Sequence, residues 1–488
     1  MQDYFLSFLN FFCKPILPII NDLEANQGQV YLVGGSVRDL LLGYPIKDLD
    51  IEVHKITSGQ LEAILKTYGG VKFIGKKFGV FRITLKQNNF EVIDWSLPRI
   101  DSIGRKPMVA IDPNLGIIAA LERRDLTINA MAIDLMQLAK DFNKLVQKAN
   151  ENKLYPATDF KIIDPYGGIQ ALAEKRLSAV NSERFIEDPL RFYRVMQFIG
   201  RFEFLPDNKL EYICKTMSLL DTTEKPISKE RIYEEIKKLI LQSKRPSLGF
   251  RWLLKIKRLS EVFPELADLE SISQRNDCHP EGSVFEHTMQ VLDAVARLTH
   301  KNTDEKVMLC LAGLCHDLGK TTSTTPEFSC RGHECTGVPL AKQFLKRLTN
   351  NTKLIASVKK LVLYHLMPRL LIEQKSTSTA FKRLAIKLAP EISLRQLGII
   401  SLADQQGRNG ENQNPLTTWL ESFNKFTQII KTFGIEEKPE PPILQGKDLI
   451  DYCNPGPALG KLLKKAYEIQ ITEVIHDPKI LKDRVTKK

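Results

Sequence analysis

The chain has 488 residues, 43% of them hydrophobic and 26% charged, and it carries a formal net charge of +12. A chain of this length exceeds one hydrophobic core and predicts about three domains; it also excludes a small disulfide scaffold. The eight cysteines show no CxxC spacing, which favours a reducing compartment, the cytoplasm. The positive charge favours a polyanionic partner such as RNA or DNA, because each Lys or Arg at a phosphate releases a counterion.

The N-terminal segment, YFLSFLNFFCKPILPII, has the apolar content of a signal peptide. It lacks a basic first part and is interrupted by Asn10, Lys14, Pro15 and Pro18, so it does not fit a secretory signal or a membrane anchor. We predict two short helices that pack against the first domain, and no membrane association.

Residues 29 to about 135 form the β-rich part of the chain. Predicted strands fall on QVYLVGG, LDIEV, VKFIG, VFRITL and FEVIDWSL, and a helix is predicted near 58–68. From about 165 onward the apolar residues follow a helical period, as in SKERIYEEIKKLILQ (228–242), where Ser228 is a plausible N-cap. A break is predicted near 270–277, and a proline-rich linker at 438–442.

The first strand ends at Gly34-Gly35, a helix follows from Ser36, and the second strand carries Asp48 and Asp50. Side chains two apart on a strand point to one face, so the two carboxylates converge as oxygen ligands for Mg²⁺. The glycines allow backbone N–H groups and a helix N-terminus to approach a phosphate. These features predict a nucleotidyl-transfer site with two metals about 3.5–4 Å apart. The alternative is a glycine turn followed by a solvated acidic strand end.

A third carboxylate usually completes a two-metal site, and Glu91 and Asp94 are the candidates. They lie three apart, so on a regular strand they face opposite sides and one of them can join Asp48 and Asp50. We prefer Glu91, because it follows the turn-like QNN and precedes an apolar run.

The segment ERRDLTINAMA (122–132) carries further nucleotide-binding candidates. Arg123 and Arg124 can clamp a triphosphate. Asp125 and Asn129 stand at i and i+4, on one face of a predicted helix, where they could bind a ribose hydroxyl. The alternative is an ordinary N-capped basic helix.

The segment RFIEDPLRFYRVMQFIGRF (184–202) predicts base selection without a template. Pro189 marks a helix start, and Asp188 and Arg191 lie in its first turn. Cytosine and adenine present an amino group beside an acceptor, which an Asp/Arg pair can bind, whereas guanine and uracil present the reverse. The alternative is a helix-capping Asp bridged to an Arg.

Six of the eight histidines (279, 287, 300, 316, 333 and 365) lie within ninety residues. Neutral imidazoles with carboxylates form a site for a divalent transition metal, and His316 and Asp317 offer both ligand types. A single such histidine is more often a buried core residue. A zinc knuckle of Cys330, His333 and Cys335 lacks a second ligand pair at suitable spacing.

In order and spacing, LVGGSVRD…KDLD, RRDLTINA, IIDPYGG (162–168) and EDPLRFYRVMQF resemble the bacterial and eukaryotic class of tRNA nucleotidyltransferases (CCA-adding enzymes) and the related bacterial poly(A) polymerases. The resemblance covers residues 29 to about 270. It implies an α+β fold: a small head with a mixed sheet, like that of DNA polymerase β, followed by an all-α body. It also implies partners, namely tRNA, CTP and ATP, and downstream helices that hold the tRNA acceptor stem.

The same resemblance implies the site residues. Asp48 and Asp50 would hold the metals; Glu91 as third catalytic carboxylate remains our own prediction from the residues. The implied nucleotide-binding residues are Gly34, Gly35, Arg38, Arg124, Asp125, Asn129, Glu187, Asp188 and Arg191. We add Ser36, Arg123 and Arg194 to the predicted nucleotide-binding set. Two departures are the N-terminal extension and segment 99–121, which follows the flexible loop of the family only loosely.

The histidine-rich region, including AGLCHDLGKTT and SLADQQGR, resembles an HD-superfamily phosphohydrolase domain fused to CCA-adding enzymes. By that resemblance His287, His316, Asp317 and Asp404 bind Ni²⁺ or another divalent transition metal. His279, His333, His365 and Lys320 are further pocket residues. Such a domain hydrolyses 2′,3′-cyclic phosphates or 2′-phosphates with metal-bound water.

We therefore predict an enzyme that adds C, C and A to tRNA and carries an HD hydrolase. The predicted segments are a helical extension (1–28), the nucleotidyltransferase head (29–160), a base-recognition neck (161–225), a tRNA-binding helical body (226–272), the HD domain (273–410) and a helical tail (411–488). The alternatives are a bacterial poly(A) polymerase or a partial (CC- or A-) adding enzyme, a PII-type uridylyltransferase, and an RNA-binding module with decayed sites. The sequence leaves the oligomeric state open.

Overall fold

The computed structural model describes residues 2–46, 49–74, 79–85, 92–101, 109–221, 223–274, 279–325, 327–408 and 418–486. The chain forms two compact units, Met1–Ile232 and Tyr233–Lys488. The division lies upstream of the break predicted near 270–277, which falls inside the second unit; residues 275–278 lie outside the described part of the chain. The six predicted segments remain a prediction.

The first unit contains the strands, which are, in chain order, β1 (Gln29–Val33), β2 (Asp50–His54), β3 (Gly69–Ile74), β4 (Val80–Leu85), β5 (Val92–Ser96), β6 (Arg99–Asp101), β7 (Val109–Ile111), β8 (Ala132–Asp134), β9 (Ile162–Ile163), β10 (Arg176–Leu177) and β11 (Leu205–Pro206). The main sheet has the order β3-β4-β5-β2-β1-β8-β9. Strands β2 and β5 pair in parallel and the other neighbours are antiparallel. The predicted mixed sheet is confirmed.

The helices of this unit are α1 (Gln2–Ser7), α2 (Lys14–Ala25), α3 (Gly35–Leu41), α4 (Ser58–Tyr68), α5 (Ile117–Glu122), α6 (Leu135–Asn150), α7 (Pro156–Asp159), α8 (Gly168–Ala173), α9 (Ser182–Glu187), α10 (Leu190–Phe202) and α11 (Asn208–Thr216). A π-helical segment (Phe8–Cys13) joins α1 to α2. The N-terminal extension is thus one helical run rather than two short helices, and it packs against α4 and α6 as predicted.

The core of the head lies against β1 and β2. Val30, Leu32, Ile51 and Val53 are almost fully buried, and α2 and α6 pack on β1. Both β1 and β2 are buried along their length except at their first residue. In β2 that residue is Asp50, which is exposed at the strand end.

Helix α12 (Lys229–Gln242) contains the division between the units and confirms the helix predicted at 228–242. The remaining helices are α13 (Ser247–Lys255), α14 (Leu259–Val262), α15 (Pro264–Ala267), α16 (Val284–Arg297), α17 (Thr303–Cys315), α18 (Lys320–Ser323), α19 (His333–Leu348), α20 (Thr352–Tyr364), α21 (Met367–Glu373), α22 (Ser378–Leu388), α23 (Leu394–Gln406), α24 (Thr418–Thr432), α25 (Gly446–Leu449), α26 (Pro457–Glu473) and α27 (Pro478–Thr486). Within its described residues the second unit is helical, as predicted.

The predicted linker at 438–442 is packed rather than free. Glu440 forms an ion pair of 2.6 Å with the buried Lys382 of α22. Gln470 of α26 donates hydrogen bonds to Glu440 and to the carbonyl of Pro441. The prolines of this segment lack the backbone N–H that a helix needs, and these polar contacts tie the segment to its neighbours.

Among the described helices, none combines the length and apolar character needed to cross a bilayer.

Candidate active sites

A glycine turn joins β1 to α3. Gly34 has φ of 72° and ψ of −126°, and a Cβ built there would lie 2.1 Å from Nη1 of Arg124. A side chain at Gly34 would therefore both strain the backbone and displace Arg124. The Gly34 N–H donates to the carbonyl of Met131 over 3.0 Å. The turn and the segment that carries Arg124 are thus packed against each other.

Asp50 is linked to the same turn. Its backbone N–H donates to Oγ of the buried Ser36 over 3.2 Å, while its side chain is exposed. The predicted helix start after the glycines and the acidic strand end are brought together. Asp48 lies outside the described residues, so its placement stays a prediction.

The sheet register places one of the two candidate third carboxylates beside Asp50. Asp94 is the direct partner of Asp50 in the parallel pairing of β2 and β5. Paired residues on neighbouring strands point to one face, so Asp94 shares the face of Asp50. Arg82 holds the Asp94 carboxylate through Nε and Nη2 at 2.7 and 2.8 Å. Glu91, which we preferred, lies outside the described residues, so that preference stays a prediction.

The segment with Arg123 and Arg124 is not the predicted α-helix. Leu126 pairs with Ala179 in a β-bridge, and a short 3₁₀-helix (Thr127–Asn129) follows. These tertiary backbone bonds override the local helical pattern. Asp125 and Asn129 nevertheless meet, since Nδ2 of Asn129 donates to Oδ1 of Asp125 over 2.9 Å.

A buried line of hydrogen bonds runs through this segment. Arg38 donates to Asn129, Asn129 donates to Asp125, and Nε of Arg194 lies 2.5 Å from Oδ2 of Asp125. Burial alone would raise the pKa of Asp125. The charge and hydrogen bond of Arg194 and the hydrogen bond of Asn129 lower the pKa by more than burial raises it, so it lies below its ordinary value. Asp125 and Asn129 are buried and have hydrogen-bond partners inside the protein; the predicted ribose contact stays a prediction.

Arg38 lies against two aromatic rings of α10, which stack on each other with centroids 5.7 Å apart. Its guanidinium is 5.3 Å from the Phe198 ring centroid and 4.9 Å from that of Phe202. Burial lowers its pKa to about 10. Asp39 accepts from Arg38 and from Arg201 of α10, the latter over 2.8 Å. Sequence analysis missed Asp39, Phe198 and Phe202; the i, i+4 spacing of the two rings was the available signal.

Glu52 was also missed, although it lies two residues after Asp50 on the same strand face. It is buried, and Nε2 of His54 lies 3.0 Å from its Oε1. Burial raises the pKa of Glu52, but His54, Arg124 and Arg123 lower it overall. An ionised carboxylate therefore sits behind the predicted triphosphate site.

The predicted base-reading pair sits at the start of α10, and Pro189 caps that helix as predicted. Oδ1 of Asp188 accepts a hydrogen bond from the Leu190 N–H over 3.1 Å, and Oδ2 of Asp188 lies 3.2 Å from Nη2 of Arg231. Arg191 donates to the carbonyls of Arg184 and Arg123 at 2.6 and 2.8 Å. The two side chains are neighbours with separate partners, and Glu187 is exposed at the end of α9.

In the second unit the predicted histidines and aspartates converge on Asp317. His316 and His333 place Nε2 at 3.2 Å from its carboxylate oxygens, His287 at 3.6 Å, and His365 at 4.0 Å. Burial raises the pKa of Asp317, but His316 and Lys320 lower it well below its ordinary range. Asp317 is thus an ionised carboxylate at the centre of the cluster.

The ring orientations favour metal binding. Nδ1 of His316, His333 and His365 lies 2.7–2.8 Å from the carbonyl oxygen three residues earlier. A carbonyl accepts only, so each Nδ1 carries a proton, and when the ring is neutral its Nε2 presents a lone pair to the cluster. Burial lowers the pKa of His365 to about 3, which keeps its ring neutral.

Two sets of donors share Asp317: one with His287 and His316, and one with His333 and His365; a third set is His279, Glu281 and His287. Asp404 lies 3.1 Å from Nε2 of His287. Among the described residues, the groups able to hold a metal include no cysteine. His300 is separate, bound through Nε2 to the Val295 carbonyl.

Sequence analysis missed Glu281. Its Oε1 lies 2.9 Å from Nδ1 of His279 and 2.9 Å from Nδ1 of His287. Burial raises its pKa, but the two histidines lower it to about 2. The position two residues after His279 was the available signal. Glu281 fixes the ring of His287 so that Nε2 faces Asp317 and Asp404.

Three family models match the chain. They are "Poly A polymerase head domain" over residues 30–178, "Probable RNA and SrmB- binding site of polymerase A" over 213–269, and "HD domain" over 284–405.

Curated relatives match across most of their length. The multifunctional CCA protein of Mannheimia succiniciproducens is 31% identical over 398 residues, which are 79% of this chain and 85% of that protein. The multifunctional CCA protein of Ralstonia nicotianae is 34% identical over 65% of this chain and 68% of its own.

Solved structures share the fold. The Bacillus stearothermophilus CCA-adding enzyme in complex with CTP has a TM-score of 0.63 at 20% identity, over 96% of both chains. The Thermotoga maritima CCA-adding enzyme complexed with tRNA has a TM-score of 0.56 at 20% identity, over 96% of this chain and 93% of its own.

Proposed function

The chain belongs to the family of multifunctional CCA proteins, and from this we infer that it is a tRNA nucleotidyltransferase that adds C, C and A to the 3′ end of tRNA from CTP and ATP. The observation that carries this for the first unit is the hydrogen bond from Asp50 to Ser36, which joins the acidic strand end to the glycine turn. Carboxylates beside backbone donors are what a triphosphate and its metals require.

A divalent metal belongs to this chemistry, and we propose Mg²⁺ held by Asp48, Asp50 and Asp94. Bound metal would stabilise charge on the attacking and leaving oxygens. The exposed Asp50 and the Asp94 beside it offer the hard oxygen ligands that Mg²⁺ prefers. Arg82 would fix Asp94 in orientation.

We further propose that Gly34, Gly35, Ser36, Arg123 and Arg124 surround the triphosphate. Arg124 lies against the Gly34 turn, and Glu52 behind it supplies a fixed negative charge. The buried hydrogen-bonded line behind these residues then holds the glycine turn and α10 in position; its members are Arg38, Asp125, Asn129 and Arg194.

Selection of C and A is assigned, as a proposal, to Asp188 and Arg191, with Glu187 and Arg194 beside them. Asp188 is 41% exposed and within reach of a base. Arg191 is anchored to two carbonyls, which limits the positions its guanidinium can take. A polar pair of this kind rejects a mismatched edge because its own groups would lose their partners.

One assay tests this function: the purified chain is incubated with tRNA lacking its 3′ end and with each nucleotide singly and together, and the products are sequenced. CCA ends support the proposal. A run of A would indicate a poly(A) polymerase, and products ending at CC or extended by A alone would indicate a partial enzyme. Either result overturns the proposal of full CCA addition. We propose that this activity takes place in the cytoplasm, since the eight cysteines show no CxxC spacing and favour a reducing compartment.

A second activity is favoured by the Asp317 cluster: metal-dependent hydrolysis of a 2′,3′-cyclic phosphate or a 2′-phosphate. The convergent Nε2 atoms and the Asp317 and Asp404 carboxylates fit a divalent transition metal, and we propose Ni²⁺ or a similar ion. Such an ion would supply a nucleophilic water at neutral pH. The chain supplies the ligand geometry, with His279, Glu281 and Lys320 around it.

A further inference from the structure

The strand-like segment before α16 brings a glutamine to the Asp317 cluster. Nζ of Lys320 lies 2.8 Å from Oδ2 of Asp317 and donates to Oε1 of Gln274 over 2.8 Å. The backbone N–H of Gln274 donates to the carbonyl of Gly282 over 3.0 Å. Gln274 lies outside the segment that matches the HD domain model, which begins at residue 284.

The orientation of the Gln274 amide follows from its partner. A lysine ammonium only donates, so the atom that faces Lys320 is the amide oxygen and the NH₂ group points elsewhere. Gln274 is 9% exposed, and among the described residues its buried Nε2 has no hydrogen-bond partner. Buried donors are normally paired, so this one calls for a ligand.

The class of ligand follows from the neighbours. An N–H donor and an ammonium cannot coordinate a cation, yet they lie beside Asp317, which belongs to both metal donor sets. The Lys320 ammonium has three N–H groups, of which one donates to Asp317 and one to Gln274, so one remains. The remaining donors suit an anionic oxygen bound next to the metal ligands.

We propose that Gln274 is a substrate-binding residue of the HD site: its Nε2 and the ammonium of Lys320 together hold a non-bridging oxygen of the phosphate ester. This rests on the proposed hydrolase function of that site. Asp317 holds Lys320, and Lys320 in turn holds the amide so that its donor is directed at the substrate.

The competing explanation is that Gln274 only supports Lys320. Gln274→Glu separates the two, because a carboxylate keeps an acceptor for Lys320 at the same size but loses the donor and adds negative charge. A supporting role predicts near-normal behaviour for Gln274→Glu, whereas phosphate binding predicts a larger defect than in Gln274→Ala. Gln343→Glu, on the exposed side of α19, is the matched control for charge.

The experiment uses the full chain with added Mn²⁺ and 2′,3′-cyclic AMP. We measure KM and kcat, inhibition by inorganic phosphate, and Mn²⁺ affinity by titration calorimetry. One lost hydrogen bond to a charged oxygen predicts a rise in KM and in the inhibition constant for phosphate of about 10-fold in Gln274→Ala, and a greater rise in Gln274→Glu. Mn²⁺ affinity and CCA addition should match wild type and Gln343→Glu.

Unchanged KM and phosphate inhibition in Gln274→Glu would overturn the proposal, and so would a loss confined to Mn²⁺ affinity. Absence of hydrolysis in the wild-type chain would instead refute the hydrolase function. In that case calorimetric titration of Mn²⁺-loaded protein with inorganic phosphate decides the inference: weaker binding in Gln274→Glu supports it, and equal binding overturns it.

Discussion

Arg38 donates a hydrogen bond to Oδ1 of Asn129, ninety-one residues further along the chain, and both side chains are buried. Asn129 in turn donates to Asp125, and Asp125 accepts a second hydrogen bond from Arg194 of α10. Charge-assisted hydrogen bonds in a buried setting are the strong ones. The glycine turn and the proposed base-reading helix are therefore held by one chain of polar contacts.

The first prediction concerns Asp125, which anchors that chain. Asp125→Asn removes the charge that pairs with Arg194, and we expect a loss of about 2 kcal/mol in the free energy of unfolding at pH 7. The pKa of Asp125 is lower in the folded protein than its ordinary value of 3.8. Its contribution is therefore complete above that value and is lost as the pH falls below it.

Thermal melts of Asp125→Asn between pH 7 and pH 3 check this, with the exposed Asp451→Asn as control. The difference from wild type should shrink on acidification. A difference that stays constant with pH would mean that the Asp125 charge does not stabilise the fold.

The second prediction concerns Asp50. Asp50→Ala should reduce nucleotide addition by at least about 10²–10³-fold, the cost of losing one preorganised electrostatic group. Binding of tRNA, measured by gel shift, should change little because the exposed side chain is proposed to contact metal only. Near-normal addition by this variant would remove the proposed metal site.

The third prediction separates the two candidate carboxylates. Because Asp94 is the register partner of Asp50, we expect Asp94→Asn to abolish addition and Glu91→Gln to retain most of it. Incorporation of radiolabelled CTP into truncated tRNA measures both, and melts of the two variants control for folding. The opposite ranking would restore Glu91 as the third carboxylate.

The fourth prediction concerns base selection. Asp188→Ala should raise the incorporation of UTP and GTP relative to CTP and ATP more than it slows total addition, because a mismatched base no longer leaves a carboxylate unpaired. Arg231→Ala is the control, because it removes the α12 side chain that pairs with Asp188 and leaves the Asp188 carboxylate itself in place. A slower enzyme with unchanged selectivity would show that Asp188 is only a helix cap.

Local pattern was enough to predict the α/β head and the helical body, and the family resemblance grouped His287, His316, Asp317 and Asp404 as one site. Local pattern failed where tertiary backbone contacts decide. The bridge of Leu126 to Ala179 replaced a predicted helix, and the pairing of β2 with β5, which places Asp94 beside Asp50, could not be predicted from spacing. Spacing gives the face of a residue within its own strand, but it cannot give the register against another strand.

The last prediction concerns Asp317, which both donor sets share. Asp317→Ala should abolish hydrolysis of 2′,3′-cyclic AMP at any concentration of Ni²⁺, Mn²⁺ or Co²⁺, because it removes a carboxylate that lies within 4.0 Å of Nε2 of all four histidines. CCA addition should survive, since the proposed Mg²⁺ site lies in the other unit and distant sites act nearly independently. Loss of both activities with an unchanged melt would show that the sites are coupled. Loss of both with a lowered melt would show that the ionised Asp317 is needed for folding, and Asp317→Asn, which keeps the size of the side chain, would then test the metal role.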